Sequence, residues 1–299
     1  MKTFLALVER NVKLYFKDKG MFLTSLITPI ILLVLYATFL KNVFESSFRD
    51  GLAEAGVTLS NKIMMGCVGG QLVSSLLAVS CVTVPFCSNL LMVQDRISGA
   101  RKDLTVAPTN YGVLALAYYV STLVSSLIIC LSATVVCLGY LAVIGWCMSV
   151  ADVFLGILDV ILLVLFGTAL SSCVNFLLTS QGQATAAGTV VSAGYGFICG
   201  AYMPISSFSP GLQKVLAFLP GTYATSLMRN HFMGGSFREM ADNGFPAEVI
   251  ESMKGSVDCT VKFFDTAVEV PAMYAVVIVS VVVLIGVYVL LNALFGKKR

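Results

Sequence analysis

The sequence predicts an all-α polytopic membrane protein with six transmembrane helices, and its composition and long apolar runs support that fold class. Of its 299 residues, 58% are hydrophobic and only 12% are charged, and the mean hydropathy is +0.91. Soluble domains carry about 25% charged residues, so this composition excludes a chain folded mainly in water. A helix needs about 20 apolar residues to cross a bilayer, and runs of that length recur along the chain.

Six segments are long and apolar enough to span. They are residues 21–40, 63–93, 113–144, 153–178, 185–203 and 270–295. The second and third exceed the length a bilayer requires, so we expect them to tilt or to project from it. The apolar run before Glu9 and Arg10 is too short for a cleavable signal peptide, and none is expected.

The charge distribution predicts the orientation. Six spans place both termini on one side, together with the loop between spans two and three. That side holds eleven basic and four acidic residues, whereas the rest of the chain holds eight basic and twelve acidic ones. Because basic loops stay in the cytoplasm, both termini are expected there, in the plasma membrane of a bacterial cell.

Residues 2–19 have the pattern of a basic amphipathic helix. The residues of its apolar face are Phe4, Leu5, Val8, Val12, Tyr15 and Phe16. Such a helix lies in the headgroup layer, so we predict an N-terminal interfacial helix. A flank that only sets the orientation of the first span is the alternative.

Residues 204–269 are the largest polar region and lie between the fifth and sixth spans. Pro204, Pro210 and Pro220 divide its first part into pieces too short to span. We therefore expect an extracellular re-entrant hairpin covered by protein or water. From residue 231 onward, we expect a small helical excursion whose acidic residues are solvated.

Seven of the nine cysteines fall inside apolar runs, and the chain has no CxxC pair. A thiol in an apolar run behaves as a small hydrophobe, so neither a metal site nor a redox site is expected. A disulfide between Cys147 and Cys259 remains open.

Three motifs, taken in order, resemble the membrane domain of type-2 ABC exporters. The first is an interfacial helix and a first span, "ERNVKLYFKDKGMFLTSLITP". The second is a charged loop, "QDRISGARKDLTVAPTN", at residues 94–110. The third is "CGAYMPISSFSPGLQKVLAFLPGTYATSLMR", which follows the fifth span. The resemblance covers the whole chain and implies a single transmembrane domain, residues 1–299.

The resemblance implies that residues 94–108 are a coupling helix that docks on a separate ATPase subunit. The residues that would carry this role are Asp95, Arg96, Gly99, Arg101, Lys102, Leu104 and Pro108. Ile97 and Ser98 stand where the family has an acidic residue before the glycine. A short connector that only obeys the positive-inside rule is the alternative.

No GxxxxGK[ST] loop occurs in the chain, so it has no phosphate-binding loop of that type. We expect no cofactor on this chain. ATP and Mg are expected to bind to a partner P-loop ATPase. The remaining partners would be the lipid bilayer and a second permease, either a copy or a paralogue, but no nucleic acid. GxxxG pairs at Gly66–Gly70 and Gly196–Gly200 are candidates for close helix packing in such a dimer.

Polar residues inside spans two and five are candidates for the substrate path. They are Gln71, Ser75, Asn89, Thr189, Ser192 and Tyr195. Hydrogen bonding between helices is the alternative for each of them. The third motif suggests an outer gate formed by Gly200, Pro204, Pro220 and Tyr223. Asp159 is an acid inside the fourth span, where it is either structural, cavity-facing or a proton site.

The leading function is a permease that exports amphipathic drug-, peptide- or lipid-like cargo in the manner of a multidrug efflux transporter. The alternative is a proton-coupled secondary transporter using Asp159. An intramembrane enzyme is disfavoured because the sequence shows no cluster of catalytic residue types.

Overall fold

The computed structural model describes residues 2–54, 59–106, 110–264 and 266–295, and these residues are almost entirely helical. The helices are α1 (Lys2–Lys17), α2 (Lys19–Leu35), α3 (Lys41–Glu54), α4 (Asn61–Ser88), α5 (Leu90–Ile97), α6 (Ala100–Val106), α7 (Tyr111–Ile144), α8 (Val150–Leu177), α9 (Gln181–Ile198), α10 (Pro210–Leu216), α11 (Pro220–Asp242), α12 (Ala247–Ser256) and α13 (Val270–Phe295). A π-helical turn, Tyr36–Leu40, joins α2 to α3, and a 3₁₀ turn, Ile205–Ser207, precedes α10. Strands β1 (Lys262–Phe263) and β2 (Thr266–Ala267) pair antiparallel.

Helix α4 lies at the centre of the bundle. Every residue from Ile63 to Ser88 is buried, and α2, α7, α8, α9 and α11 pack around it. The buried residues of α4 therefore lie on all of its faces and not along one stripe, which is typical of a helix enclosed by other helices.

Five helical stretches among the described residues are long and apolar enough to cross a membrane. They are Lys19–Ser46, Asn61–Ile97, Tyr111–Ile144, Val150–Leu177 and Val270–Phe295. They overlap predicted spans one, two, three, four and six. The predicted fifth span, residues 185–203, corresponds to α9, which ends earlier and is not among these five stretches, since its 18 residues include Gln181 and Gln183 besides several Gly, Thr and Ser. The sixth crossing, and with it the side of the termini, remains a prediction.

Helix α11 differs most from the sequence-based prediction. We expected the residues from 231 onward to form a small external helical excursion with solvated acidic residues, but α11 packs against α4, α8 and α13, and His231, Phe232 and Met240 are buried. Asp242 is exposed and Glu239 is half-buried, so the difference from the prediction lies in the packing of α11. Its polar side chains find partners within the bundle, and a hydropathy pattern does not record such partners.

The Gly66–Gly70 pair of α4 packs against another helix of the same chain. A methyl group at Gly70 would lie 2.6 Å from the Phe232 carbonyl oxygen, and one at Gly66 would lie 2.6 Å from Ser236 Oγ. Glycine thus allows the backbones of α4 and α11 to approach closely. The surface predicted as a possible dimer contact is occupied by α11.

The predicted N-terminal helix forms as α1, but its buried residues are Leu7, Asn11 and Tyr15, whereas Leu5 and Phe16 of the predicted apolar face are exposed. It packs on α7 and on α2. Asp18 separates it from α2, because its Oδ1 accepts a hydrogen bond from the Met21 amide at 3.1 Å and caps the second helix. The two helices are therefore distinct elements joined by a capped turn.

Candidate functional site

The charged loop of the sequence forms a corner made of α5 and α6. Helix α5 continues the direction of the long α4 and ends at Ile97. Gly99 then has a φ of +84°, which is a backbone conformation that favours glycine. The chain turns there into α6, so the glycine of the motif is required by the geometry of the corner.

Asp95 ties this corner to two other helices. Its Oδ2 lies 2.6 Å from Arg10 Nη1 of α1 and accepts a hydrogen bond from the Tyr118 hydroxyl of α7 at 2.7 Å. Its Oδ1 accepts a second bond from Arg10 Nη2 at 3.1 Å. The hydrogen bonds that Arg10 donates to Asp95 raise the pKa of Arg10 above its ordinary value. A two-pronged contact of this type is strong and directional.

Arg96 holds the other side of the corner. Its Nη1 donates to the Phe176 carbonyl oxygen at 2.9 Å and to the Leu178 carbonyl oxygen at 2.5 Å. The guanidinium carbon also lies 5.5 Å from the centre of the Phe176 ring. Arg96 thereby satisfies carbonyl groups that the end of α8 leaves without helical partners. Asp95 and Arg96 bind within the chain and make the corner one unit with α1, α7 and α8.

The remaining residues of the corner have two environments. Arg101 is buried, and Leu104 is half-buried. Lys102 and Asp103 are exposed, and Val106 is 85% exposed. Pro108 lies outside the described residues. The surface that the corner presents outward therefore includes Ile97, Ser98, Lys102, Asp103 and Val106.

The predicted path residues separate into two groups. Thr189 and Ser192 line a groove of about 750 Å³ between α2 and α9, whose mostly apolar wall also carries Thr24, Thr28 and Thr185. Asp18 is the one charged side chain among the described residues that line it. The hydroxyls of Thr24 and Thr189 donate to carbonyl oxygens of their own helices. Their lone pairs remain for a ligand that donates hydrogen bonds.

The other path candidates lie between helices. Asn89 Nδ2 donates to Ser172 Oγ at 3.0 Å and to Ser171 Oγ at 3.3 Å, so it joins α4 to α8. Gln71 and Ser75 are fully buried in α4, and their side-chain polar atoms have no hydrogen-bond partner among the described residues. Tyr195 is buried against Gly221 of α11. The geometry of Asn89 matches the helix-to-helix interpretation.

The predicted outer gate is organised by an ion pair that the sequence analysis did not find. Arg229 Nη1 lies 3.0 Å from Asp258 Oδ2, and both side chains are buried. The same Asp258 oxygen accepts from the Ile205 amide at 2.6 Å, and Arg229 also donates to the Gly200 carbonyl oxygen. Asp258 was expected to be solvated. That expectation is wrong because this carboxylate binds Arg229 and the turn after Pro204.

The gate prolines and tyrosine lie at helix starts. Pro204 immediately precedes the 3₁₀ turn, and Pro220 is in the first turn of α11, where its missing amide hydrogen costs nothing. The Tyr223 hydroxyl donates to the Ala217 carbonyl oxygen at 2.5 Å. Gly200 has a φ of +77°. The four residues predicted for the outer gate therefore stabilise the successive turns that connect α9 to α11.

Asp159 has partners on two other helices. Its Oδ2 lies 2.5 Å from His231 Nδ1 of α11, and its Oδ1 accepts from the Tyr274 hydroxyl of α13 at 2.6 Å. His231 was expected to lie outside the membrane, so its contact with Asp159 was not predicted. Residues 204–269 contain no long apolar run, and the sequence therefore offers no signal that α11 packs inside the bundle.

A bundle of long apolar helices around a buried central helix defines a multi-pass membrane protein. The chain belongs to the ABC-2 type transporter family, whose sequence model matches residues 2–233. Membership makes it a permease component of an ABC transporter and implies a partner ATPase component. A comparison with curated protein sequences returns no match.

Proposed function

We propose that the chain is one membrane half of an ATP-driven exporter and that the corner formed by α5 and α6 receives the movement of the ATPase. The observation that supports this proposal most is the attachment of the corner by Asp95 and Arg96. Through these residues the corner is bonded to α1, α7 and α8. A force applied to the exposed Lys102 and Val106 would therefore move several helices together.

The proposal has both termini and the corner in the cytoplasm, which agrees with the basic charge on that side. It pairs the chain with a second permease, whether a copy or a paralogue. The exposed apolar residues Ile27 and Ile31 of α2 and Val190 of α9 support such a partner, since they adjoin or line the groove. The pair would enclose the groove between them.

The cargo in this proposal is amphipathic, either drug-, peptide- or lipid-like, and moves outward through the groove between α2 and α9. Its apolar wall suits a hydrocarbon or aromatic body. The acceptor lone pairs of Thr24 and Thr189 suit a headgroup that donates hydrogen bonds. Asp159 has a structural role in this proposal and joins three helices, because both of its oxygens are hydrogen-bonded to residues of other helices.

Copurification tests the coupling. The tagged chain is expected to retain a P-loop ATPase, and Lys102→Glu is expected to release it, because charge reversal replaces an attraction with a repulsion. Lys262→Glu is the matched control, since Lys262 is also exposed but lies in β1. Equal retention by both variants would contradict the docking surface.

Substrate-stimulated ATP hydrolysis tests the groove. Thr189→Trp places a large ring in the groove and is expected to abolish stimulation by cargo in the reconstituted complex. Val135→Trp places the same ring on α7, at a residue that is 70% exposed and does not line the groove, and should retain stimulation. Loss in both variants, or in neither, would contradict the assigned path.

A further inference from the structure

Three phenylalanine rings, Phe218, Phe263 and Phe264, form an exposed aromatic patch on the segments that precede α11 and α13. The ring centre of Phe218 lies 5.2 Å from that of Phe263 and 5.8 Å from that of Phe264, and the last two are 4.9 Å apart. In the same order, these residues are 62%, 36% and 53% exposed, and Leu212 and Val215 of α10 are exposed as well. Edge-to-face packing stabilises the cluster but leaves much apolar surface uncovered.

Phe264 has an unfavourable backbone conformation. Strands β1 and β2 pair Lys262 with Ala267 and Phe263 with Thr266, so Phe264 is the first residue of the turn between them. Its φ is +46°, which bulky residues seldom adopt, and turns of this length favour Asn, Asp or Gly at this position. Strain of this kind is typical of residues whose side chain has a function. The exposed Phe264 ring therefore calls for a contact outside the hairpin.

A cation lies near the same rings. Lys214 Nζ is 5.9 Å from the centre of the Phe264 ring, and Lys214 is exposed at the surface of α10. Segments that lie in a membrane interface combine aromatic and aliphatic side chains with lysine. The rings enter the boundary with the acyl chains, while the lysine ammonium stays among the headgroups. The aromatic patch and Lys214 together have this composition.

The length of α13 places the hairpin of β1 and β2 near a bilayer surface. Helix α13 has 26 residues and is about 39 Å long, whereas the hydrocarbon core is about 30 Å thick. The surplus places the ends of α13 in the headgroup layers, and the exposed Glu269 immediately before it agrees with this position. Only two residues separate β2 from α13. The exposed apolar surface of α13 includes Ile278 and Val279, about two turns from its start.

We infer that the aromatic patch inserts into the headgroup layer of the leaflet at the start of α13. The three rings would lie at the boundary between headgroups and acyl chains, with the Lys214 ammonium near the lipid phosphates. Burial of the Phe264 ring in this layer would offset the strain of its backbone. Because Phe218 follows α10 directly, the patch would attach the turns between α9 and α11 to the leaflet. The inference does not depend on the proposed function.

Fluorescence quenching in proteoliposomes tests the inference. The chain has a single tryptophan, so Trp146→Phe provides a background in which Phe264→Trp or Phe218→Trp is the only reporter. Both reporters should lose most of their emission to phosphatidylcholine brominated near the carboxyl end of its acyl chains, and less to lipid brominated near the chain end. The brominated lipid is present in both leaflets, so the result is independent of the orientation of the chain.

Glu248→Trp in the same background is the matched control. Glu248 is exposed and lies in the first turn of α12, outside the aromatic patch. Because an ionised carboxylate does not enter the acyl boundary without cost, this position is expected in water, and neither brominated lipid should quench its emission. Size-exclusion profiles and helical circular dichroism should agree among the three reporters, because all three replaced residues are exposed.

A further pair of variants separates lipid contact from the folding of the hairpin. Phe264→Gly removes the ring and suits the positive φ, so the hairpin should still form. With Phe218→Trp as the reporter, Phe264→Gly should lose part of the quenching, since one of the inserted rings is absent. Ala267→Gly is the control in the same hairpin, because it removes only an exposed methyl group, and it should leave the quenching unchanged.

Three results would overturn the inference. The first is equal quenching from positions 264 and 248. The second is blue-shifted emission from position 264 that no brominated lipid quenches, because the ring is then covered by protein, such as a second copy of the chain. The third is unchanged quenching at position 218 in the Phe264→Gly variant. None of these results involves the ATPase, so a failure of this inference is distinguishable from a failure of the copurification test.

Discussion

His231 Nδ1 lies 2.5 Å from Asp159 Oδ2, and this contact joins α11 to α8 across 72 positions of sequence. Tyr274 adds α13 to the same carboxyl group. The three helices therefore share one buried polar contact. Such a contact specifies which faces of the helices meet, because any rotation would leave a buried polar group without a partner.

Removing one partner of this contact should destabilise the bundle. His231→Leu leaves Asp159 Oδ2 without its partner, and we expect a loss of about 3 kcal/mol in the free energy of unfolding. The double variant Asp159→Leu, His231→Leu removes both polar groups and should recover much of that loss. Thermal unfolding in detergent measures the stabilities of the two single variants, His231→Leu and Asp159→Leu, and of the double variant. A double variant that loses the sum of the two single effects would contradict the direct pairing.

The attachment of α1 to the corner gives a second prediction. Arg10→Gln breaks the contact with Asp95, and amide hydrogen exchange throughout α1 should accelerate. Lys13→Gln is the matched control on the same helix, since the one ion pair of Lys13 among the described residues is with Glu9, and both are exposed. Exposed pairs contribute little to stability, so exchange in α1 should remain unchanged. Equal acceleration by the two substitutions would show that charge on α1, and not the Asp95 contact, holds the helix.

Close packing between α4 and α11 gives a third prediction. In Gly70→Ala the added methyl group meets the Phe232 backbone at 2.6 Å, so we expect a loss of about 1–3 kcal/mol. Gly139→Ala is the control, because nothing lies within 4 Å of a methyl group there. It should be neutral or stabilising by up to about 1 kcal/mol, as for alanine in a helix interior. Equal melting temperatures for the two variants would show that the helices are not in backbone contact.

Thiol reactivity gives a fourth prediction. Burial raises the pKa of the Cys259 thiol to about 12, and burial also raises the pKa of the half-buried Cys147. Because the thiolate is the reactive form, native Cys259 should resist maleimide at pH 8. Both cysteines are free thiols, so both should be labelled after unfolding without a reductant. Recovery of a peptide pair bridged through Cys147 and Cys259 would contradict the structure.

The same shift predicts a pH dependence of stability. The folded chain keeps the Cys259 proton, whereas the unfolded thiol loses it above its ordinary pKa of 9.0. Stability should therefore fall as the pH rises from 9 towards about 12. Cys259→Ala removes the titrating group and should reduce the slope in this window, as measured by thermal unfolding at several pH values. An unchanged slope would assign the dependence to other groups.

Apolar periodicity and length predicted α1 and five of the spanning helices, because these depend on runs of neighbouring residues. The glycine of the corner was also recognised, since a single residue type accommodates that turn. Helix α11 was not predicted to lie in the bundle. Its burial depends on Arg229 meeting Asp258 and on His231 meeting Asp159, and these pairs are 29 and 72 positions apart. Local composition does not contain such pairings.

The same limit applies to the corner. The sequence assigned all of its charges to a partner, but Asp95 binds Arg10 and Tyr118, 85 and 23 positions away, and Arg96 binds carbonyl groups 80 or more positions away. Lys102 and Asp103 stay exposed. Only the fold distinguishes the charges that hold the corner in place from those that are exposed.

Site-specific photocrosslinking from position 106 tests the central proposal most directly. Val106 and Val143 are equally exposed, at 85%, but Val143 lies at the other end of α7 from the corner. With a photoreactive residue at position 106, we expect a crosslink to a P-loop ATPase in the intact complex, and none from position 143. An ATPase that crosslinks equally from both positions, or only from position 143, would contradict the assignment of the α5–α6 corner as the docking site.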